Sequence, residues 1–457
     1  MRMLLQTGLI IKLVDQGLTI ALIVPDEKDE NLLALSYSDK IKLIEWKSRS
    51  TIWDDDYLHK RMYFLEDIKR NKALMEKFYN GLFYSDSKHP WKRIRPLYYY
   101  TIYKLIKFFP SIRQHFLNRE SEHLYSSEAN AILSEINPKL LVSTYPVSII
   151  EAKMLAAAKT ANIPTLLHLL SWDNITAKGK FPVLPDNFIV WGEIMKMELQ
   201  EYYQIKEKEI SICGVPHFDE HIEVSNNGNC HLLVKDLGLD AELPYLFFAM
   251  SSPRFAPREI DIVEWLAAAV RNNVFGQKMQ LIVRPHPQNV KEFTSKKSWL
   301  QRLNTLSGQR IAIDYPQLNE SKIRWSMKKE DMQNLAKLIS GCVLCLNSGS
   351  TVSIDALMHG KPVVITAFDG DSKLSYWNSA RRLIDYTHLA KYIAAGGADV
   401  ANSYDSLTHI IQAYIDDPQL NNAKRRQALL SECYRDDGKS TERVVSSLIA
   451  VLKSSVT

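Results

Sequence analysis

Along most of the chain, short apolar runs of strand type alternate with longer stretches whose apolar residues recur at helical spacing. This alternation predicts parallel sheets with helices on both faces. In the first half, strands are expected at 18–25, 41–46, 139–144, 163–170, 187–192 and 209–214. The pattern between Trp53 and Asn137 is mostly helical. A Gly- and Pro-containing stretch followed by Ser-Asn-Asn-Gly, "GVPHFDEHIEVSNNGNC" (214–230), reads as a linker. The alternation then restarts, with strands expected at 245–252, 280–287, 310–314, 342–350 and 361–366, and helices from about Ile384 onward. The expectation is an α/β chain of two doubly wound, Rossmann-like domains, 1–218 and 219–457, facing a cleft in which a ligand would meet the carboxyl ends of the strands. The first domain opens on a helical pattern, so its usual first strand is expected to be absent, and a helical insert is expected at about 53–137.

The length of 457 residues suits two domains, and a composition of 46% hydrophobic and 24% charged residues is ordinary for globular cores. No apolar run is long enough to span a bilayer. The opening "MRMLLQTGLIIKLVDQG" is broken by Lys12 and Asp15 and lacks a cleavage site, so the expected location is cytoplasmic. Five cysteines do not make a disulfide framework. Cys342 and Cys345 form a single C-x-x-C in a strand-type run. Their side chains point to opposite faces, which predicts two core cysteines and no metal site.

The net charge of +5 is unevenly spread. From Lys88 to Arg119 there are eight Lys/Arg and no Asp or Glu, interleaved with Trp91, Tyr98, Tyr99, Tyr100, Tyr103, Phe108 and Phe109. Such a pattern fits a solvated face of a core helix, a surface lying on anionic lipid, or stacking on single-stranded nucleic acid. The expectation is peripheral membrane contact through 88–119, on the inner face of the plasma membrane, with no nucleic-acid partner.

The densest chemical signal is "CLNSGSTVSIDALMHGKPVV" (345–364). A buried strand runs into Ser348, Gly349, Ser350 and Thr351, and a helix follows, closed by Gly360. Small residues at a helix start let an anion reach unpaired backbone N–H groups, and the hydroxyls add donors. Asp355 stands one turn beyond Thr351, where a carboxylate can accept both hydroxyls of a ribose. The alternatives are a plain helix cap and a solvated Asp. "RPHPQNV" (284–290) follows a strand and delivers Arg284, a bidentate phosphate partner, and His286, which can donate to a leaving oxygen or shuttle a proton near neutral pH. "AMSSPRFAPRE" (249–259) places Ser251 and Ser252, with Arg254 and Arg258, after another strand. In the first half, "SWDNITAKGKF" (171–181) offers Asp173 as a general base, with Trp172, Asn174 and Lys178 as sugar contacts, and Glu193 is a second carboxylate. Asp before Asn is also a routine turn. There is no Walker loop, and "DGD" (369–371) is a poor metal motif, so no metal and no cofactor are expected.

The stretch "SGSTVSIDALMHGKPVV" resembles the donor-site helix of GT-B glycosyltransferases, with Asp where that family more often has Glu. The His-Pro of "RPHP" is similar to that of sialyl- and Kdo-transferases, CDP-glycerol glycerophosphotransferases and UDP-N-acetylglucosamine 2-epimerases. The resemblance covers roughly 140–455. It implies a metal-independent, membrane-associated glycosyltransferase of bacterial surface polysaccharide (cell-envelope) synthesis. The donor would be a nucleotide-sugar and the acceptor a lipid-linked glycan. The alternatives it leaves are a UDP-sugar 2-epimerase, a CDP-glycerol or CMP-sugar transferase of the same fold, and a binding protein without turnover.

Overall fold

The computed structural model describes residues 2–35, 38–46, 90–178, 180–227, 229–290, 297–321, 323 and 326–454. The expected insert at 53–137 falls outside these up to residue 89. Its described part is three helices, Pro90–Phe108, Pro110–Leu124 and Ser127–Ile136.

The chain forms two compact units. One comprises Met1–Glu45, Val215–Asp385 and Leu389–Glu442, and the other Trp46–Gly214, Tyr386–His388 and Arg443–Thr457. The division therefore differs from a single cut at 218/219, because the first 45 residues group with the later part of the chain. The side chains show why. Gln6 Nε2 donates to Met327 O at 2.8 Å, and Asn31 Nδ2 donates to Ser326 Oγ at 3.1 Å. These bonds join groups about 300 positions apart, which no local pattern announces.

The first unit is built on a six-stranded sheet: β7 (Tyr245–Ala249), β8 (Gln280–Arg284), β9 (Ile311–Ile313), β10 (Cys345–Asn347), β11 (Val363–Thr366) and β12 (Asp399–Ala401). All neighbours pair in parallel, in the order β12-β11-β10-β7-β8-β9. The strands are apolar on both faces because both faces are covered. Leu246, Phe248, Leu281, Val283, Leu346 and Val364 join one core with residues of the helices Glu259–Arg271, Lys297–Leu306 and Tyr404–Asp416. Strand β12 lies in the tail expected to be helical, where three residues in a polar context carry no periodic signal.

The six strands expected in the first half do not form one sheet. β1 (Ile20–Val24) and β2 (Ile41–Glu45) pair with each other in a two-stranded sheet of the first unit. β3 (Leu141–Ser143), β4 (Thr165–His168), β5 (Asn187–Val190) and β6 (Ile210–Ile212) form the parallel four-stranded sheet of the second unit.

Candidate functional site

In the six-stranded sheet the chain winds outward from β7 through β8 to β9, then returns to the other side of β7 with β10 and continues to β11 and β12. The order reverses between β7 and β10, where Ala249 pairs with Asn347. Connections leaving a parallel sheet in opposite directions open a crevice at the carboxyl ends of the two strands. The loops that leave there are the ones singled out from sequence: Ser251 and Ser252 after β7, Ser348–Thr351 after β10, and His286 after the adjacent β8.

These loops are held by buried polar bonds. Asn347 Oδ1 accepts from Gly349 N at 2.8 Å and Ser350 N at 2.9 Å, while its Nδ2 donates to Ser353 Oγ at 3.0 Å. Two N–H groups expected to face an anion are thus taken by the asparagine before the turn, a side chain suited to bonding its own backbone two residues on. Gly349 has φ +95°, a left-handed conformation that favours glycine, and a Cβ there would lie 2.9 Å from the tip of Leu389, which would have to shift. Ser348 is buried and bonds inward, to Glu259 and Thr366, whereas Ser350 and Thr351 are partly exposed. The helix Val352–Met358 ends in a Schellman motif: Lys361 N bonds Ala356 O, Gly360 N bonds Leu357 O, and Gly360 has φ +67°.

Asp355 is turned into the protein. All seven residues of its helix are buried, and its carboxylate lies 3.1 Å from His221 Nε2 and 3.7 Å from His217 Nε2. Burial alone would raise this carboxyl, but the two histidines outweigh it and hold the group well below the usual carboxylate range. His221 Nδ1 in turn meets His359 Nε2 at 2.9 Å, and burial lowers His359 to about 3. The expected ribose contact therefore sits against a buried histidine cluster.

Arg284 is likewise committed. Its guanidinium bonds Asp314 at 2.5 Å and both oxygens of Asp331, at 2.8 and 2.6 Å, and it is buried. His286 remains partly exposed. Its Nδ1 accepts from Gln288 N at 3.1 Å, which assigns the ring hydrogen to Nε2, and burial lowers its pKa to about 4. At neutral pH it is an uncharged donor. Ser252 Oγ bonds Gln288, and Asn289 Nδ2 donates to Ser251 O at 3.3 Å, so the loops after β7 and β8 are tied together. Arg254 is exposed, and Arg258 pairs with Asp261 at 2.5 Å.

The second unit carries Asp173, in the loop after β4. It accepts from Ser171 Oγ at 2.7 Å and pairs with Lys178 at 2.9 Å. Burial would raise it, yet Lys178 and His388 outweigh that and lower it, so it is a carboxylate. Trp172 is buried against the His388 ring, with centroids 5.1 Å apart, and Asn174 is fully buried. Glu193 stands in the first turn of the helix Glu193–Tyr203, 3.6 Å from Lys196.

Sequence reasoning missed two carboxylates that organise these loops. Glu151 accepts from Ser143 Oγ, Thr144 N and Tyr145 N after β3, at 2.6 to 2.8 Å. Glu259 accepts from Ser251 N at 2.7 Å and meets Ser348 Oγ at 2.6 Å. Each stands in the first turn of the helix that follows its loop, which is the available signal. Cys342 and Cys345 are buried free thiols. Among the described residues no His/Cys/Asp/Glu group is arranged to hold a metal ion.

No protein-family model and no curated protein matches the sequence. Solved structures do resemble the fold. The UDP complex of Staphylococcus aureus MnaA superposes with a TM-score of 0.50 at 13% identity, over 76% of this chain and 87% of that one. A glycosyltransferase from Rickettsia africae gives 0.49 at 11% identity, over 99% and 93%. The chain has the GT-B type of α/β fold, with two Rossmann-like parallel sheets. At these identities the likeness speaks for the fold alone.

Proposed function

We propose that this chain is a glycosyltransferase that moves a sugar from a nucleotide-sugar donor to a glycan acceptor, lipid-linked in surface polysaccharide synthesis. One observation carries the reading. Three loops converge where the strand order reverses, with Ser350, Thr351 and His286 partly exposed on them, and buried bonds hold them in place before any ligand arrives. Fixed donors of this kind favour the charge that develops in a transition state, because they need no reorganisation as the reaction proceeds. In the proposed reaction the bond from the sugar's anomeric carbon to the diphosphate oxygen breaks, and its electron pair leaves with the diphosphate. Ser350, Thr351 and the Nε2–H of His286 meet that oxygen's charge. The acceptor hydroxyl forms the new bond to the anomeric carbon and gives its proton to a general base, the role for which the sequence offers Asp173.

Calorimetric binding of UDP, GDP, CDP, CMP and ADP tests this. Preference for UDP or GDP is expected. Preference for CDP or CMP would move the reading to glycerophosphate or CMP-sugar transfer, and no binding by a folded sample would remove the site. Epimerisation of a UDP-sugar without release of UDP would reassign the chemistry.

The acceptor's lipid is proposed from the helix Pro90–Phe108. Leu97, Tyr98, Leu105 and Phe108 are exposed on it, followed by Phe109. Lys104 and Lys107 lie over the Tyr100, Tyr103 and Phe108 rings at 5.2 to 5.9 Å. Apolar side chains rimmed by lysines suit an anionic bilayer surface. Among the described residues no helix is long and apolar enough to cross a membrane. Lys104→Ala/Lys107→Ala is expected to weaken binding to phosphatidylglycerol vesicles by about 2 kcal/mol, roughly 30-fold, at about 1 kcal/mol per lysine. Equal partitioning of the variant and the parent in a vesicle flotation assay would defeat the lipid reading.

A further inference from the structure

Glu259 is buried, and its two oxygens reach both sides of the switch point. Oε2 accepts from Ser251 N after β7, and Oε1 meets Ser348 Oγ after β10. The Ser348 hydroxyl also meets Thr366 Oγ1, at the end of β11, at 2.9 Å, and Thr366 Oγ1 lies 3.4 Å from Asn347 O. A single carboxyl thus ties together the loops proposed to receive a diphosphate. An ionised carboxylate in that position would repel its ligand.

The two hydroxyls in series resolve the conflict, since a hydroxyl both donates and accepts. When the carboxyl is protonated, donation runs from Oε1–H to Ser348 Oγ, on to Thr366 Oγ1 and then to Asn347 O. Every hydrogen has an acceptor, and Oε2 still accepts from Ser251 N. When it is ionised, the Ser348 hydroxyl turns to donate to Oε1. Both states fit without moving a heavy atom.

Among the charged groups on neighbouring segments, Arg254 is exposed and the others are engaged. Arg258 pairs with Asp261, and Arg284 is held by Asp314 and Asp331. Asp369, beyond β11, accepts from Ala380 N at 3.0 Å, and His286 is neutral. Burial is the largest influence on Glu259 and raises the carboxyl to about 8 against the donation from Ser348 and Ser251.

We infer that Glu259 is a positioning residue whose protonation is coupled to ligand binding: a diphosphate seating beside Ser251 and Ser350 takes up a proton at this carboxyl. The inference rests on the nucleotide site proposed above. Coupling is reciprocal, so raising the pH must weaken the anion. Below about 8 the carboxyl is already neutral and affinity is flat. Above it, affinity falls by about tenfold per pH unit, one proton per ligand.

The test uses the full chain and the tightest binder among UDP, GDP, CDP and ADP. Calorimetry at about pH 8, in two buffers of different ionisation enthalpy, reads proton uptake. The wild type is expected to take up about half a proton there, as a group does at its midpoint. Glu259→Gln, neutral at every pH, is expected to take up none and to show no affinity loss between pH 7.5 and pH 9. Glu259→Ala, which cuts the tie between the loops, should bind more weakly than Glu259→Gln throughout. Equal proton uptake by wild type and Glu259→Gln overturns the inference while leaving the nucleotide site standing. Failure of the folded wild type to bind any of the four overturns both.

Discussion

Replacing Arg284 with methionine is expected to lower the unfolding free energy of its unit by about 3–5 kcal/mol, the range for removing one partner of a buried ion cluster. The guanidinium lies between Asp314 and Asp331, and both its Nη atoms are engaged. Asp331 is almost fully buried and also accepts from Gln317 N at 2.9 Å. Burial would push the guanidinium towards losing its charge, but the two carboxylates outweigh it. Without the arginine, two carboxylates remain in low dielectric with no cation between them. Arg284→Lys should rescue little, because one point charge cannot span both acids as the planar fork does. Arg284→Met/Asp314→Asn/Asp331→Asn should recover much of the loss, since no charge is then stranded. Urea unfolding measures each, the midpoint moving at unchanged slope. If Arg284 were a phosphate clamp, nucleotide affinity would collapse while the midpoint stayed in place, and that result would reject the structural assignment.

His286→Ala is expected to lower kcat/KM by about 10²–10³-fold, the loss seen when one fixed donor to a developing oxyanion is removed. Gln288 N donates to Nδ1, so Nε2 carries the hydrogen. Burial holds the pKa near 4, so the ring is neutral between pH 5 and pH 9. His286 therefore adds no limb to the pH–rate profile in that window. The profile of the alanine variant should keep the wild-type shape at a lower level. Asparagine, which restores an N–H donor, should recover part of the rate. A limb between pH 6 and pH 7 that disappears with the histidine would show proton shuttling instead. Unchanged turnover would take His286 out of the mechanism.

Both expectations revise roles that composition and motif suggested. "RPHP" marks the end of a strand, and that was legible. The fate of its arginine was not, because Asp314 and Asp331 stand 30 and 47 positions away. Asp355 shows the same limit from another side. Helical spacing placed it on the face of Thr351. Every residue of its helix is buried, so no polar face existed to define which way it points. Its partners, His217 and His221, come from more than 130 positions earlier. Glu259 sits within a stretch singled out for its serines and arginines, yet its value lies in Ser348, 89 positions on.

On its own, the sequence located the strands from β1 to β11, though not β12, and showed that small hydroxylated residues lead out of β7 and β10. These are local properties: apolar runs, glycine turns, helix starts. The tertiary structure decided which side chains at those ends face inward. Asn347 takes up the Gly349 and Ser350 N–H groups, Glu259 and Ser348 bond each other, and Arg284 and Asp355 meet partners distant in sequence. It also decided that β1 and β2 group with the later part of the chain and that the strand order reverses between β7 and β10. Those outcomes follow from pairing buried polar and charged groups with partners, which are set by neighbours in space and not along the chain.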